Sequence, residues 1–246
     1  MKAVIFAGKG NNGGDGFALA RLLKDRGINC QIVFLFDRSN FSEDAEINYN
    51  IALKCGINII TDFTEAVIET GRSDIVVDAI LGTGISRPVE GIYASVIEMI
   101  NTYAKKVISV DIPSGVNSDD GRVMGMAVNA DITVTFALPK IGMLLYPGAS
   151  YCGKIEIANI SIQPSTISEM NIKTAFLDKK DLYNIIPERK KRTNKGSYGR
   201  LFIIAGSNDM TGAVALCCKG AFRAGAGLVY ACTVQSGINV VQQLVP

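Results

Sequence analysis

Hydrophobic positions fall in short runs that break into glycine or turn residues, with amphipathic stretches between them. Lys2–Ala7 (KAVIFA) enters a glycine loop, the pattern of a buried strand. Asp15–Arg26 carries apolar residues at Phe17, Leu19, Ala20, Leu22 and Leu23 and stops at Gly27, which predicts a helix. Gln31–Phe36 predicts the next strand. Ser42 reads as an N-cap, with Glu43 and Asp44 in the first turn and Gly56 past the end. Asn58–Thr61 and Ile75–Ile80 predict strands, Ala94–Lys105 a helix, and Val107–Ile112, Thr133–Leu138 and Lys154–Ile160 further strands. This alternation predicts an α/β fold: a three-layer αβα, Rossmann-like, mostly parallel sheet.

The pattern lapses near Gln163 and restarts at Arg200–Ala205, followed by a glycine loop, a helix over Ala213–Ala224 and a strand over Leu228–Val234. The expected organisation is a first domain over 1–165, a linker over 166–195 and a second, incomplete domain over 196–246. That second segment is short for an independent core. Met1 abuts the first strand and no terminating element precedes Pro246, so a fragment of a longer protein is expected.

Composition narrows the chemistry. A net charge of +2 over 246 residues argues against a dedicated nucleic-acid binder. The basic run Glu188–Lys195 has no interleaved aromatics and reads as a solvated linker rather than a nucleic-acid site. No apolar run approaches the length of a membrane span, and no signal peptide is expected, since the first residues run directly into a strand and glycine loop. The six cysteines show no metal-ligand spacing and are expected to be reduced, mostly buried thiols of a cytoplasmic protein. Histidine is absent, which excludes a histidine base or a histidine-ligated zinc within this chain.

Ligands of open α/β sheets bind beyond the carboxyl ends of the strands. Three such ends carry chemistry: Gly8–Gly16, Asp78–Pro88 and Asp111–Gly115. Gly8-Lys9-Gly10-Asn11-Asn12-Gly13 satisfies the dinucleotide fingerprint, and Asp37 is placed for a ribose, so a Rossmann oxidoreductase is one alternative. Asp15 speaks against it, since a carboxylate at a helix start would repel a pyrophosphate. Asp15 could instead cap that helix after a tight turn. Asp78 and Asp111, the two asparagines and a serine form a plausible oxygen cage for a hard cation (K⁺, Na⁺, Mg²⁺ or Ca²⁺), its low charge favouring a monovalent one. Alternatively, both aspartates only accept hydrogen bonds from loop N–H groups.

GKGNNGGDG, DAILGTGISRPVEG, SVDIPSG and ADITVTFALPKIG, in this order, resemble the NAD(P)H-hydrate epimerase family. NKGSYGRLFIIAGSNDMTGAVALCCKGAFRAGAGLVYACTV resembles the opening of the ADP- or ATP-dependent NAD(P)H-hydrate dehydratase, a ribokinase-like domain. The resemblance implies a bifunctional nicotinamide-nucleotide repair enzyme. Its isomerase part would interconvert the R and S epimers of hydrated NADH or NADPH, and its lyase part would be incomplete here. Asn11, Asn12, Gly13, Gly14 and Asp15 would contact the nucleotide, together with Gly82, Thr83, Gly84, Ile85, Ser86, Arg87 and Pro88. Asn12, Asp78 and Ser114 would hold K⁺, and Asp111 would be the catalytic residue at the reacting ring. Ala213 would contribute to the dehydratase substrate site, whose ADP or ATP, Mg²⁺ and remaining motifs belong to a complete domain. Asn194 stands where that family usually has histidine. A helical segment precedes the first strand in the epimerase family and supports a homo-oligomer. A non-catalytic nucleotide-binding scaffold is the alternative from another class.

Overall fold

A strand buried on both faces needs apolar residues at successive positions, and β1 (Lys2–Ala7) meets that need with Ala3 to Ala7 all buried. The computed structural model describes residues 1–37, 39, 41–177, 179–185 and 191–245. Glu188 to Lys190 of the basic run, and Pro246 at the end of the anticipated second domain, lie outside the described residues. After β1 come α1 (Asn11–Asp25), β2 (Asn29–Val33), α2 (Glu43–Lys54), β3 (Asn58–Ile60) and α3 (Phe63–Arg72). Then follow β4 (Ile75–Ala79), α4 (Ile92–Tyr103), β5 (Val107–Val110), β6 (Ile132–Phe136), β7 (Lys154–Ala158) and a short α5 (Pro164–Glu169).

The strands form one seven-stranded sheet in the order β3-β2-β1-β4-β5-β6-β7, each neighbouring pair parallel. The order reverses between β1 and β4. That is the topological switch point, where the loops part and leave a crevice. Alternate residues of the central strands serve opposite layers. Ile5, Ala7, Ile32, Val77 and Ala79 pack with Phe17 and Ala20 of α1 and with Tyr49 and Ala52 of α2. Val4, Phe6, Val33 and Val76 pack with Ala66 of α3 and with Val96, Ile97, Met99 and Ile100 of α4. The αβα Rossmann-like architecture expected from the sequence is the one observed.

Several element bounds differ from expectation. The anticipated strands Gln31–Phe36 and Val107–Ile112 end early, at Val33 and Val110; one further bond each, from the Phe34 N–H to Ile60 O at 2.9 Å and from the Asp111 N–H to Val134 O at 2.8 Å, precedes the loops above the sheet. The sequence reading placed no helix at α3, although Asp62 caps it by accepting from the Glu65 N–H at 2.8 Å. Ser42 caps α2 as expected, accepting from the Ala45 N–H at 3.3 Å. The largest difference is at α1. It begins at Asn11, four residues before the anticipated start, so NNGGD is helix and not loop.

The chain divides into two compact units, Met1–Asn171 and Ile172–Pro246. The second contains α6 (Lys179–Ile185), β8 (Arg200–Ile204), α7 (Thr211–Ala224), β9 (Leu228–Cys232) and α8 (Ile238–Leu244). β8 and β9 pair in parallel, from Arg200 opposite Leu228 to Ile204 opposite Cys232. α7 buries Val214, Ala215 and Cys218, and Gly225 ends it in the left-handed conformation at φ 108°. All six cysteines are free. Only Cys152 and Cys218 are buried, which corrects the expectation of mostly buried thiols. Cys55 is the C-cap of α2, and Cys217 lies off the buried face of α7. Among the described residues, no helix is long and apolar enough to cross a membrane.

Candidate active site

The site is built on the close approach of α1 to the sheet. The Gly8 N–H extends the ladder to Ala79 O at 2.9 Å. Gly13 lies directly over Gly8, Gly14 against Ala45, and Gly16 against Ala79. Gly13 and Gly14 are buried, so they shape the site from beneath without lining it. Gly10 is the N-cap of α1, with extended backbone and no side-chain cap. Asp15 is therefore in the second turn and is not the capping residue, which corrects that alternative.

A cleft of about 940 Å³ opens at the switch point. Its lining includes Lys9 to Asn12 and Asp15 from the β1–α1 junction, the stretch from Ile80 to Glu90 after β4, Tyr93 of α4, and Asp111 after β5. Gly82, Thr83, Gly84, Ile85, Ser86, Arg87 and Pro88, expected from the resemblance to contact the nucleotide, all line this cleft. Backbone carbonyls of this segment are held by the loop after β5: Ser118 Oγ donates to Thr83 O at 3.2 Å and Asn117 Nδ2 to Ile85 O at 3.4 Å. Lys9 Nζ pairs with Asp37 at 3.2 Å, and Ser39 also donates to Asp37. These bonds, from Ser39 first and then Lys9, pull the Asp37 pKa down to about 2. Asp37 is thus already engaged at the position where a dehydrogenase would present a free acid to the ribose. Tyr93 stacks on Phe36 at 4.4 Å along the cleft rim.

Beneath the floor lies a polar knot. Asp78 is completely buried. Its Oδ2 accepts from Ser109 Oγ and the Ser114 N–H, both at 2.8 Å, and its Oδ1 accepts from Ser114 Oγ at 2.5 Å and the Ile80 N–H at 3.3 Å. Burial raises the Asp78 pKa, while these four donors oppose the rise. Ser114 Oγ also accepts from the Leu81 N–H at 2.8 Å, and Asn12 Nδ2 donates to Leu81 O at 3.0 Å. Asn12, Asp78 and Ser114 are therefore brought together around Leu81. One atom of the knot stands apart: among the described residues, the buried Asn12 Oδ1 has no hydrogen-bond partner.

Asp111 follows β5 with φ 67°, a left-handed conformation uncommon outside glycine and found at sites where structure holds strain in place. Its Oδ1 accepts from the Phe136 N–H at 3.0 Å, from Thr135 Oγ1 at 3.3 Å and from Lys140 Nζ. The Asp111–Lys140 ion pair is the component that the sequence reading missed. The available signal was a lysine just past β6, in the ALPKIG stretch.

Asp15 shares the cleft with Asp111. Its pKa is raised by desolvation, then by repulsion from Asp111 and Asp44. A raised folded-state pKa means that the folded protein binds this proton more tightly than the unfolded chain does. The carboxyl's contribution to stability then falls as pH climbs from the unfolded value, about 3.9, through the raised one. Asp15→Asn is expected to melt at higher temperature than the wild type at neutral pH and at the same temperature below about pH 3, where both carboxyls are protonated. Equal melting temperatures at neutral pH would contradict this account.

Ala213 is exposed in the first turn of α7, in the second unit, and does not line the cleft.

A parallel sheet with a carboxylate-bearing cleft at its switch point defines an α/β protein of the Rossmann-like class. Residues 1–142 match the family described as YjeF-related protein N-terminus, and the chain belongs to that family. It is 42% identical over 158 residues to an NAD(P)H-hydrate epimerase of Limosilactobacillus fermentum, covering 64% of this chain and 74% of the relative. It is 40% identical over 240 residues to a bifunctional NAD(P)H-hydrate repair enzyme of Thermofilum pendens, covering 96% of this chain and 45% of the relative. The chain thus spans about half the length of the curated bifunctional relatives that it matches. The crystal structure of yeast YNL200c shares the fold at a TM-score of 0.60 and 22% identity, over 73% of this chain and 75% of the yeast chain.

Proposed function

We propose that the first unit interconverts the R and S epimers of hydrated NADH or NADPH. The observation that carries this reading is Asp111: an acid held in a strained conformation in the lining of the switch-point cleft, in a chain whose relatives are named for this reaction. In the substrate, a hydroxyl on the nicotinamide ring lies beside the ring nitrogen. The Asp111 carboxyl gives its proton to that hydroxyl, the C–O bond breaks, and water leaves. The ring is then a cation stabilised by its nitrogen. Water adds to the opposite face, and the Asp111 carboxylate takes a proton from it. Between the two steps the carboxylate charge stabilises the ring cation. Lys9 and Arg87 supply cations for the nucleotide phosphates, and the first turn of α1 presents backbone N–H groups.

The orphaned Asn12 Oδ1, on a side chain that bonds the same Leu81 that Ser114 holds, suits a hard monovalent cation, and we assign K⁺ to Asn12, Asp78 and Ser114. The ion would supply a positive charge that ties α1 to the loops after β4 and β5. The second unit is proposed to be the start of a dehydratase part, on the strength of the bifunctional relatives' names. Cytoplasmic location is proposed from six free cysteines, three of them exposed. Homo-oligomeric assembly rests on the family resemblance alone.

The direct test is to incubate the protein with purified R epimer of hydrated NADH, in potassium buffer and in a buffer without it, and to follow the S epimer by chromatography. Catalysed conversion that is faster with potassium is expected. No rate above the spontaneous one in either buffer would sink the epimerase reading.

A further inference from the structure

Lys140 has no part in the chemistry above. Its Nζ carries three protons, and three acceptors take them: Asp111 Oδ1, Thr135 Oγ1 at 2.8 Å and Phe136 O at 3.2 Å. No donor remains for a ligand, and Lys140 does not line the cleft, whereas Asp111 does. Thr135 is fully buried and closes the arrangement, since its hydroxyl accepts from Lys140 and donates to Asp111 Oδ1 at 3.3 Å. The Phe136 N–H holds the same oxygen at 3.0 Å. Three donors thus converge on Oδ1, and among the described residues none bonds to Oδ2. Both charged side chains are largely shielded, with 20% and 16% of their surface exposed.

We infer that Lys140 is the positioning residue for Asp111: it anchors Oδ1 and leaves Oδ2 as the single oxygen that exchanges protons with the reacting hydroxyl. This rests on the epimerase reading. A carboxylate at the end of a left-handed residue needs such an anchor, because rotation about χ1 and χ2 would otherwise turn the group away from the cleft. An ammonium suits the task, being a compact charge whose three protons fit three acceptors in different directions. A guanidinium keeps the charge but presents a planar fork.

The test compares Lys140→Met, Lys140→Arg and Thr135→Val with the wild type, by steady-state epimerisation and by crystal structures. For Lys140→Met, kcat is expected to fall about 10- to 100-fold, the scale of an ångström-size misplacement of a reacting group, while KM stays within about twofold. Lys140→Arg is expected to recover part of that loss. Thr135→Val should lower kcat by less and also spare KM, and it carries the test if the Met variant does not fold. In the crystal structures, Asp111 is expected to occupy one side-chain rotamer in the wild type and more than one in Lys140→Met. Unchanged kcat in both Lys140→Met and Thr135→Val would overturn the inference. So would a fall in kcat with Asp111 still in its wild-type rotamer, since that is the signature of a merely structural lysine. If the wild type itself shows no epimerisation, the epimerase reading fails by itself. The rotamer comparison then decides the anchoring role alone, and an unmoved Asp111 rejects it.

Discussion

Asp111→Asn is expected to lower the epimerisation rate about 10²- to 10⁴-fold, the range that positioned acid–base groups contribute, while nucleotide affinity and melting temperature stay close to those of the wild type. The expectation follows from what the substitution keeps. Asparagine tolerates the left-handed backbone nearly as well as aspartate, so φ 67° costs little more. The carbonyl oxygen of the introduced amide can still accept from the Phe136 N–H, Thr135 Oγ1 and Lys140 Nζ. What is lost is the group facing the reaction. An amide neither protonates a leaving hydroxyl nor accepts a proton from water, and it places no negative charge beside a ring cation. The pair of measurements is turnover of the R epimer and nucleotide affinity by calorimetry. Turnover within about threefold of the wild type, well short of the loss expected for an acid–base group, would remove Asp111 from the mechanism. Loss of binding together with turnover would recast it as a substrate contact.

Much of the fold was legible because parallel sheets write themselves plainly: KAVIFA, IVVDAI and VISVDI are apolar runs that end in glycine or proline, and the helices between them carry the expected stripes. α3 escaped because its stripe, Phe63, Ala66, Val67 and Thr70 at helical spacing, spans only ten residues and fully buries just Ala66 and Thr70. The capping aspartate was a second mark. Of the site, the aspartates, asparagines and a serine were legible from the residues as an oxygen cage, but the particular set Asn12, Asp78 and Ser114 came only from the family resemblance. No spacing rule relates residues 12, 78 and 114, which meet because β1, β4 and β5 are neighbours in the sheet. Lys140 was missed for the same reason. It reaches a residue 29 positions earlier in the chain, across the β5–β6 pair. The start of α1 was hidden by composition. Gly13, Gly14 and Gly16 are poor helix formers, so propensity placed a loop where tertiary packing imposes a helix.

That conflict yields the largest stability effect. Gly13→Ala is expected to destabilise the protein by about 3 kcal/mol or more, because a backbone must move to admit the methyl group. A Cβ at Gly13 would lie 1.9 Å from the Gly8 carbonyl oxygen and 2.5 Å from its carbon. Gly8 is itself hemmed in: its N–H bonds Ala79 O at 2.9 Å, and a Cβ on it would lie 1.9 Å from the Ile80 carbonyl oxygen. Neither glycine has a positive φ, so steric room is the requirement here and backbone freedom is not. Alanine's advantage within a helix, about 1 kcal/mol over glycine, opposes the effect but is too small to cancel it. For a domain of this size the loss corresponds to about 6–12 °C in melting temperature, if the variant folds at all. Gly10→Ala is the control. Gly10 belongs to the same glycine-rich stretch, but a Cβ there meets nothing within 4 Å and its backbone is extended. The cost is then only that of a poorer N-cap, about 1 kcal/mol or less. Calorimetry on the two variants separates the explanations. If the stretch were a phosphate-gripping loop, Gly10 and Gly13 would matter mainly through ligand binding and both variants would melt near the wild type. If it is the seat of a helix pressed onto the sheet, Gly13→Ala alone melts early, and it carries the cleft away with it because α1 supplies Asn12 and Asp15 to its lining.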